Sequence, residues 1–180
     1  MKKGYNLLVL KALEFFIENP YEEIHLREFA RKSNISVNSA QRFLNFFLTQ
    51  GFIIEFKRAN LRYFKANLDS IVFKHIKIAY LLKKLENSGL IKFLKSKFSN
   101  AIIFGSCAQG LDNSKSDIDL LCIGQGKNFQ IYNYEKKLGR EINIHVFNLA
   151  QWKKQKAENK AFYQEVISKG INLIGEMPVL

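Results

Sequence analysis

Two short runs in this chain combine residue types that mean little separately but could do chemistry together. Ala101-Ile-Ile-Phe104 leads into Gly105-Ser106, and after the ten residues 107–116 comes Asp117-Ile118-Asp119-Leu120-Leu121. A Gly-Ser turn after an apolar strand lets backbone come close to a phosphate, with the Ser106 hydroxyl and the amides that follow as hydrogen-bond donors. Asp117 and Asp119 stand two residues apart in an extended run, so both carboxylates point to one face. Acidic side chains inside an apolar stretch are costly unless a metal, a base or water meets them. This is the outline of a metal-and-phosphate site, to which Lys115 and Ser116 can add, although Lys115 reads equally as a solvated loop lysine.

Such a site needs strands to hold it, and the second half of the chain supplies them. Strands are expected over 101–104, 117–123 and 141–147, with helices over about 129–138 and 150–169 and a short final segment over 171–174. Alternation of strand and helix predicts a small mixed α/β sheet. On the third strand Glu141, Asn143 and His145 share one face. The preceding stretch, 68–98, is helical and basic. Ile71, Ile78, Leu81, Leu82 and Leu85 lie on one side, Lys74, Lys77, Lys83 and Lys84 are spread over the rest, and Asn87-Ser88-Gly89 divides it. It reads as a connector over 69–98 whose apolar stripe serves a homodimer seam or is covered by the domain over 99–180.

Residues 1–68 have a different pattern. Leu10, Leu13, Phe16 and Ile17 recur at helical spacing until Asn19-Pro20 stops the helix. Leu26, Phe29 and Ala30 mark a second short helix, and Ser36 caps a third with Ala40, Phe43, Leu44 and Phe47 on its inner face. Gly51 ends it, and two strands, 53–56 and 61–65, follow around the basic tip Lys57-Arg58-Ala59-Asn60. Three helices and a hairpin in this order resemble a winged helix-turn-helix. Asn38, Ser39, Gln41, Arg42 and Asn45 on the outer face of the third helix, with Lys57, Arg58 and Arg62 on the wing, are then expected to contact double-stranded DNA. The alternatives are a plain solvated helix face or a protein-interaction module. The fold class expected for the whole chain is α+β.

Charge agrees with a polyanionic partner. The 180 residues carry 28 basic and 16 acidic side chains, net +12. Residues 1–68 hold 11 basic and 6 acidic groups (net +5), residues 69–100 hold 7 and 2 (net +5), and residues 101–180 hold 10 and 8 (net +2). The excess therefore precedes the carboxylate strand, which suggests nucleic-acid binding by the front half; a generally lysine-rich composition would give the same bias. No apolar run reaches a membrane span, and the apolar N-terminal patch is broken by Lys11 and Glu14, which excludes a membrane protein and predicts a cytoplasmic one. Cys107 and Cys122 lack metal spacing and read as buried free thiols. His25 and His75 suggest no chemistry.

With its residues so placed, the stretch 95–175 resembles the minimal nucleotidyltransferase family of the DNA polymerase β-like superfamily. The resemblance rests on a hydrophobic strand, Gly105-Ser106, a ten-residue spacer and Ser116-Asp117-Ile118-Asp119-Leu120. It implies transfer of a nucleotidyl group from a nucleoside triphosphate, ATP above all, with two Mg²⁺ ions on Asp117 and Asp119 and the phosphates near Gly105, Ser106, Lys115 and Ser116. The family's third carboxylate aligns with Asn143, and its arginine after Gly-Ser aligns with Gln109. A shifted register would bring Glu141 to the metal or His145 near the nucleophile instead. Small members of the family often act as antitoxins that attach AMP to an all-helical partner toxin, for which a DNA-binding domain suits transcription regulation of the pair. A regulator whose second domain binds nucleotide or a partner without catalysis is the competing expectation. Transfer to a small molecule or an RNA end is a third.

Overall fold

A computed structural model describes residues 3–126 and 130–179, with side chains from residue 8 onward. The fold is α+β, in two compact units over 1–75 and 76–180. The first unit runs α1 (Lys3–Glu18), β1 (Ile24–His25), α2 (Leu26–Lys32), α3 (Val37–Thr49), β2 (Ile53–Arg58) and β3 (Leu61–Ala66). Past the end of α1, the Asn19 side chain donates to the Phe15 carbonyl, and Pro20 could not continue the helix. Ala12, Leu13, Phe16 and Ile17 form the buried stripe of α1, whereas Leu10, expected on it, is 64% exposed. The Ser36 hydroxyl caps α3 by accepting the Ser39 amide at 3.2 Å. Phe16, Phe29, Phe43 and Phe47 fill the core, with ring centroids 5.1 Å apart for Phe16 and Phe29 and 6.2 Å for Phe16 and Phe47.

The small sheet of this unit has the order β1-β3-β2, antiparallel throughout. At two residues, β1 is too short to leave an alternating pattern in the sequence. The hairpin is tighter than expected. Ala59 and Asn60 alone make the turn, at φ 45° and 62°, which suits the right-handed twist of the strands they join. Lys57 and Arg58 are consequently the last residues of β2, paired with Arg62 and Leu61, and do not sit at the tip.

In the second unit, α4 (Ile71–Ser88, begun in the first unit) is followed by α5 (Leu90–Lys95), β4 (Asn100–Phe104), α6 (Gly105–Gln109), β5 (Ile118–Ile123), α7 (Tyr132–Leu138), β6 (Ile142–Phe147), α8 (Leu149–Glu158), α9 (Lys160–Lys169) and β7 (Ile171–Ile174). The sheet order is β6-β5-β4-β7, with β5 and β6 parallel and β4 antiparallel to both neighbours. Leu81, Leu85, Leu90 and Leu94 pack with Ala101, Ile103, Leu120 and Cys122 on one face. Trp152, Tyr163 and Val166 cover Ile102, Phe104, Leu121 and Ile123 on the other. The stretch expected as a connector thus supplies one layer of this core.

Local departures have physical causes. Ile71 is 69% exposed and Phe73 is fully buried instead, packing on Phe52 with ring centroids 6.2 Å apart. Lys77, expected on a solvated face, is 2% exposed because Asp112 meets its ammonium. The single helix expected over 150–169 breaks at Asn159, at φ −137° and ψ 65°, whose side chain caps α9 by accepting the Phe162 amide. The helix expected from about 129 begins at Tyr132, and Phe129 lies outside the described residues. Both cysteines are free and buried, and among the described residues no helix is long and apolar enough to cross a membrane.

Candidate active site

Two strand registers assemble the site. Antiparallel pairing sets Phe104 opposite Asp119, so the chain leaves β4 at Gly105 directly beside that carboxylate. Gly105 sits at φ +68°, and a Cβ there would lie 2.8 Å from Asp119 Oδ2, so this approach requires glycine. Parallel pairing of β5 with β6 sets Asn143 beside Asp119. The Asn143 amide Nδ2 donates to Asp117 Oδ2 and to Asp119 Oδ1, each at 3.3 Å. Asp117 is exposed and Asp119 half-buried, and both carboxylates converge on one amide.

The other expected site residues fall around this pair. Ser106 is half-buried in the first turn of α6, which Gln109 closes by donating from Nε2 to the Gly105 carbonyl at 3.2 Å. Ser116 shapes the loop before β5, its hydroxyl accepting the Asn113 amide at 3.0 Å, while the Lys115 side chain is exposed. Glu141 is exposed immediately before β6, and its carbonyl accepts the Ile118 amide at 2.9 Å. Continuing the β5/β6 register by one residue places it alongside Asp117, so Asn143 and not Glu141 bridges the two aspartates. The exposed His145 ring packs against Phe104 and Phe162, with centroids 5.6 Å from each.

Sequence reasoning missed the groups beneath the site. Lys77, Asp112 and Arg140 form a buried cluster with Cys107 under the loop that carries Asp117. Burial pulls the Lys77 ammonium below its ordinary pKa against the opposing pull of Asp112, and burial pushes the Cys107 thiol up to about 11. No periodicity marks these residues; an acidic residue inside the spacer and an arginine at the entrance to β6 are the only signals.

The Asp117 and Asp119 carboxylates give oxygen ligands of the kind that a hard divalent cation takes, on a side open to solvent, so these two residues fit the metal implied by the resemblance, while Asn143 presents its amide nitrogen to them. Among the described residues no group of three or more His, Cys, Asp or Glu could hold a metal ion, and the β6 residue beside Asp119 is Asn143.

In the first unit, Asn38, Gln41, Arg42 and Asn45 are exposed on α3, and Ser39 is half-buried with its hydroxyl 3.0 Å from that of Ser36. Gln41, Asn45, Leu61 and Arg62 are among the residues that line a groove of about 570 Å³. Lys57 is exposed. The two hairpin arginines are held by carboxylates, Arg58 by Glu23 at 2.6 Å and Arg62 by both oxygens of Glu55 at 2.6 Å each.

No curated protein matches the chain. A family model described as nucleotidyltransferase domain matches residues 87–170, which cover both aspartates, Gly105 and Asn143, and this similarity supports a transferase of nucleotidyl groups.

Proposed function

We propose that the protein is a magnesium-dependent nucleotidyltransferase that takes ATP, joined to a winged helix-turn-helix that binds double-stranded DNA. The observation that carries the enzymatic half is the convergence of the Asp117 and Asp119 carboxylates on Asn143 beside Gly105. In the proposed reaction an acceptor hydroxyl attacks the α-phosphorus, an oxygen–phosphorus bond forms, the bond to the β-phosphate breaks, and pyrophosphate leaves with the electron pair. Magnesium held by Asp117 and Asp119 would offset the charge that builds on the phosphate oxygens. Gly105 lets the backbone turn close beside Asp119, and Ser106 offers a hydroxyl donor to phosphate at the same turn. Asn143 cannot take a proton from the acceptor. Glu141, exposed and next in register to Asp117, offers a carboxylate for that role.

The DNA-binding half is supported by the exposed polar face of α3, the adjoining groove and the net +5 of residues 1–68. Such a pairing suits an antitoxin that transfers AMP to a helical partner toxin and regulates its own transcription. The test is transfer of label from α-labelled ATP, with Mg²⁺ and lysate protein or RNA as acceptors, by wild type, Asp117→Asn and Asp119→Asn. Magnesium-dependent labelling lost in both variants, with unchanged circular dichroism, is the expected result. Labelling that survives both substitutions would overturn the assignment of the site. Asn143 favours one second reading, in which the domain binds nucleotide without transferring it and the protein is a regulator. Magnesium-dependent ATP binding without transfer to any acceptor would then be seen.

A further inference from the structure

The eight residues 110–117 between α6 and β5 deliver Asp117 to the site, and an exposed loop of that length would hold a carboxylate loosely. Three buried charged side chains hold it instead. Lys77, Asp112 and Arg140 have side chains only 1%, 8% and 7% exposed. Lys77 Nζ donates to the Asp112 carbonyl at 2.9 Å and lies 3.6 Å from Asp112 Oδ1. Arg140 Nη1 donates to Asp112 Oδ2 at 2.8 Å, which fixes the plane of the guanidinium.

The remaining donors of that guanidinium turn towards the site. Nε donates to the Ser116 carbonyl at 2.5 Å, and Nη2 to the Asp117 carbonyl at 3.3 Å and to Cys107 Sγ at 2.9 Å. The Cys107 thiol donates in turn to the same Asp117 carbonyl at 3.3 Å. One planar fork therefore grips two consecutive carbonyls, the second belonging to an aspartate of the candidate site. Lysine, a single point of charge, could not hold both and Asp112 in the same geometry. Buried ion networks are seldom more stable than apolar packing of equal volume, which leaves geometric definition as what this one supplies.

We propose that Arg140 is a positioning residue for the site: oriented by Asp112, it fastens the backbone at Ser116 and Asp117 so that the Asp117 carboxylate stays beside Asp119 and Asn143. Lys77 meets Asp112 at its carbonyl and at Oδ1, whereas Arg140 takes Oδ2, so Lys77 anchors the loop at Asp112. The inference rests on reading Asp117 and Asp119 as cation ligands.

Mn²⁺ binding to the full chain, followed by the electron paramagnetic resonance of the free ion, tests it without reference to activity. Arg140→Lys should weaken Mn²⁺ binding about 10–100-fold, the range for supports of metal ligands. Lys77→Met should lower the unfolding temperature while binding Mn²⁺ like wild type. Equal binding by Arg140→Lys and wild type, or an equal loss in Lys77→Met, overturns the proposal. Should Arg140→Lys fail to fold, Asp112→Asn carries the test, since it keeps the arginine but removes the carboxylate that orients it. Unchanged Mn²⁺ affinity there overturns the proposal. Absence of Mn²⁺ binding by wild type would instead overturn the reading of the aspartates, as would binding undiminished in Asp117→Asn.

Discussion

Replacing Gly105 by alanine perturbs the candidate site through one added carbon. At φ +68° any L-residue with a Cβ is strained, at roughly 1–2 kcal/mol. The new carbon would also stand 2.8 Å from Asp119 Oδ2, with Asp119 Cγ and Cβ at 3.7 and 3.8 Å. Ordinary contact requires a separation larger by roughly half an ångström or more, so the carboxylate must turn or β4 must shift. Asp119 is bound to Asn143 Nδ2, so turning it disturbs the pair as a whole. Gly139 supplies the control. It ends α7 at the same φ of +68°, with nothing within 4 Å of an added Cβ. Gly139→Ala should therefore lose about 1–2 kcal/mol of stability and bind Mn²⁺ normally. Gly105→Ala should lose at least as much and bind Mn²⁺ about tenfold or more weakly, equivalent to about 1.4 kcal/mol. Urea unfolding and Mn²⁺ titration of both variants give the comparison. Matching results for the two alanines in both assays would refute the idea that Gly105 is required by the approach to Asp119.

Asn143→Asp should add a third carboxylate to the pair, destabilise the metal-free protein by mutual repulsion, and increase the thermal stabilisation by Mg²⁺; tenfold tighter binding would add about 1.4 kcal/mol at saturating metal, and an unchanged shift would count against Asn143 as the third position. Glu55→Gln should release Arg62, strengthen DNA binding and steepen the slope of log affinity against log salt by about 0.9, with under about 1 kcal/mol of stability lost; a slope equal to that of wild type would mean that Arg62 meets no phosphate. Burial pushes the Cys122 thiol up to about 12 from an ordinary 9.0. A raised pKa stabilises fully below the unfolded value and is lost as pH rises from about 9 to 12, so at pH 10.5 this thiol should account for roughly 2 kcal/mol of lost stability. Cys122→Ala should flatten the alkaline fall in unfolding free energy, measured by urea denaturation, by that amount, and an identical pH profile would show that the thiol does not contribute.

Much of the architecture could be read along the chain because the deciding interactions are local. The stop at Asn19-Pro20, the Ser36 cap and the apolar faces of α1 and α3 depend on residues three or four apart. Which residue of the third strand stands beside Asp119 was open in the sequence, between Asn143 and, by a shifted register, Glu141; the parallel pairing of β5 with β6 sets Asn143 there. Hairpin details were less legible, since a basic four-residue tip and a two-residue turn at Ala59-Asn60 share the same composition. The breaks at Asn159 and the exposure of Leu10 and Ile71 were missed because helical periodicity says which residues share a face, and not which face a neighbour covers.

By itself, the sequence indicated that two aspartates spaced two residues apart follow a Gly-Ser turn and point to one side, because extended-chain periodicity and glycine's freedom are properties of a few adjacent residues, although β5 begins only at Ile118 and Asp117 closes the loop before it. Only tertiary structure decided what those aspartates meet. Asn143 reaches Asp117 from 26 residues away, Lys77 reaches Asp112 across 35, and Arg140 reaches Asp112 across 28. A lysine in a basic helix and an arginine after a helix end look solvated in the sequence. Here they are buried, because Asp112 compensates the lost hydration of both, and that compensation exists only once α4, the loop over 110–117 and the entrance to β6 are brought together.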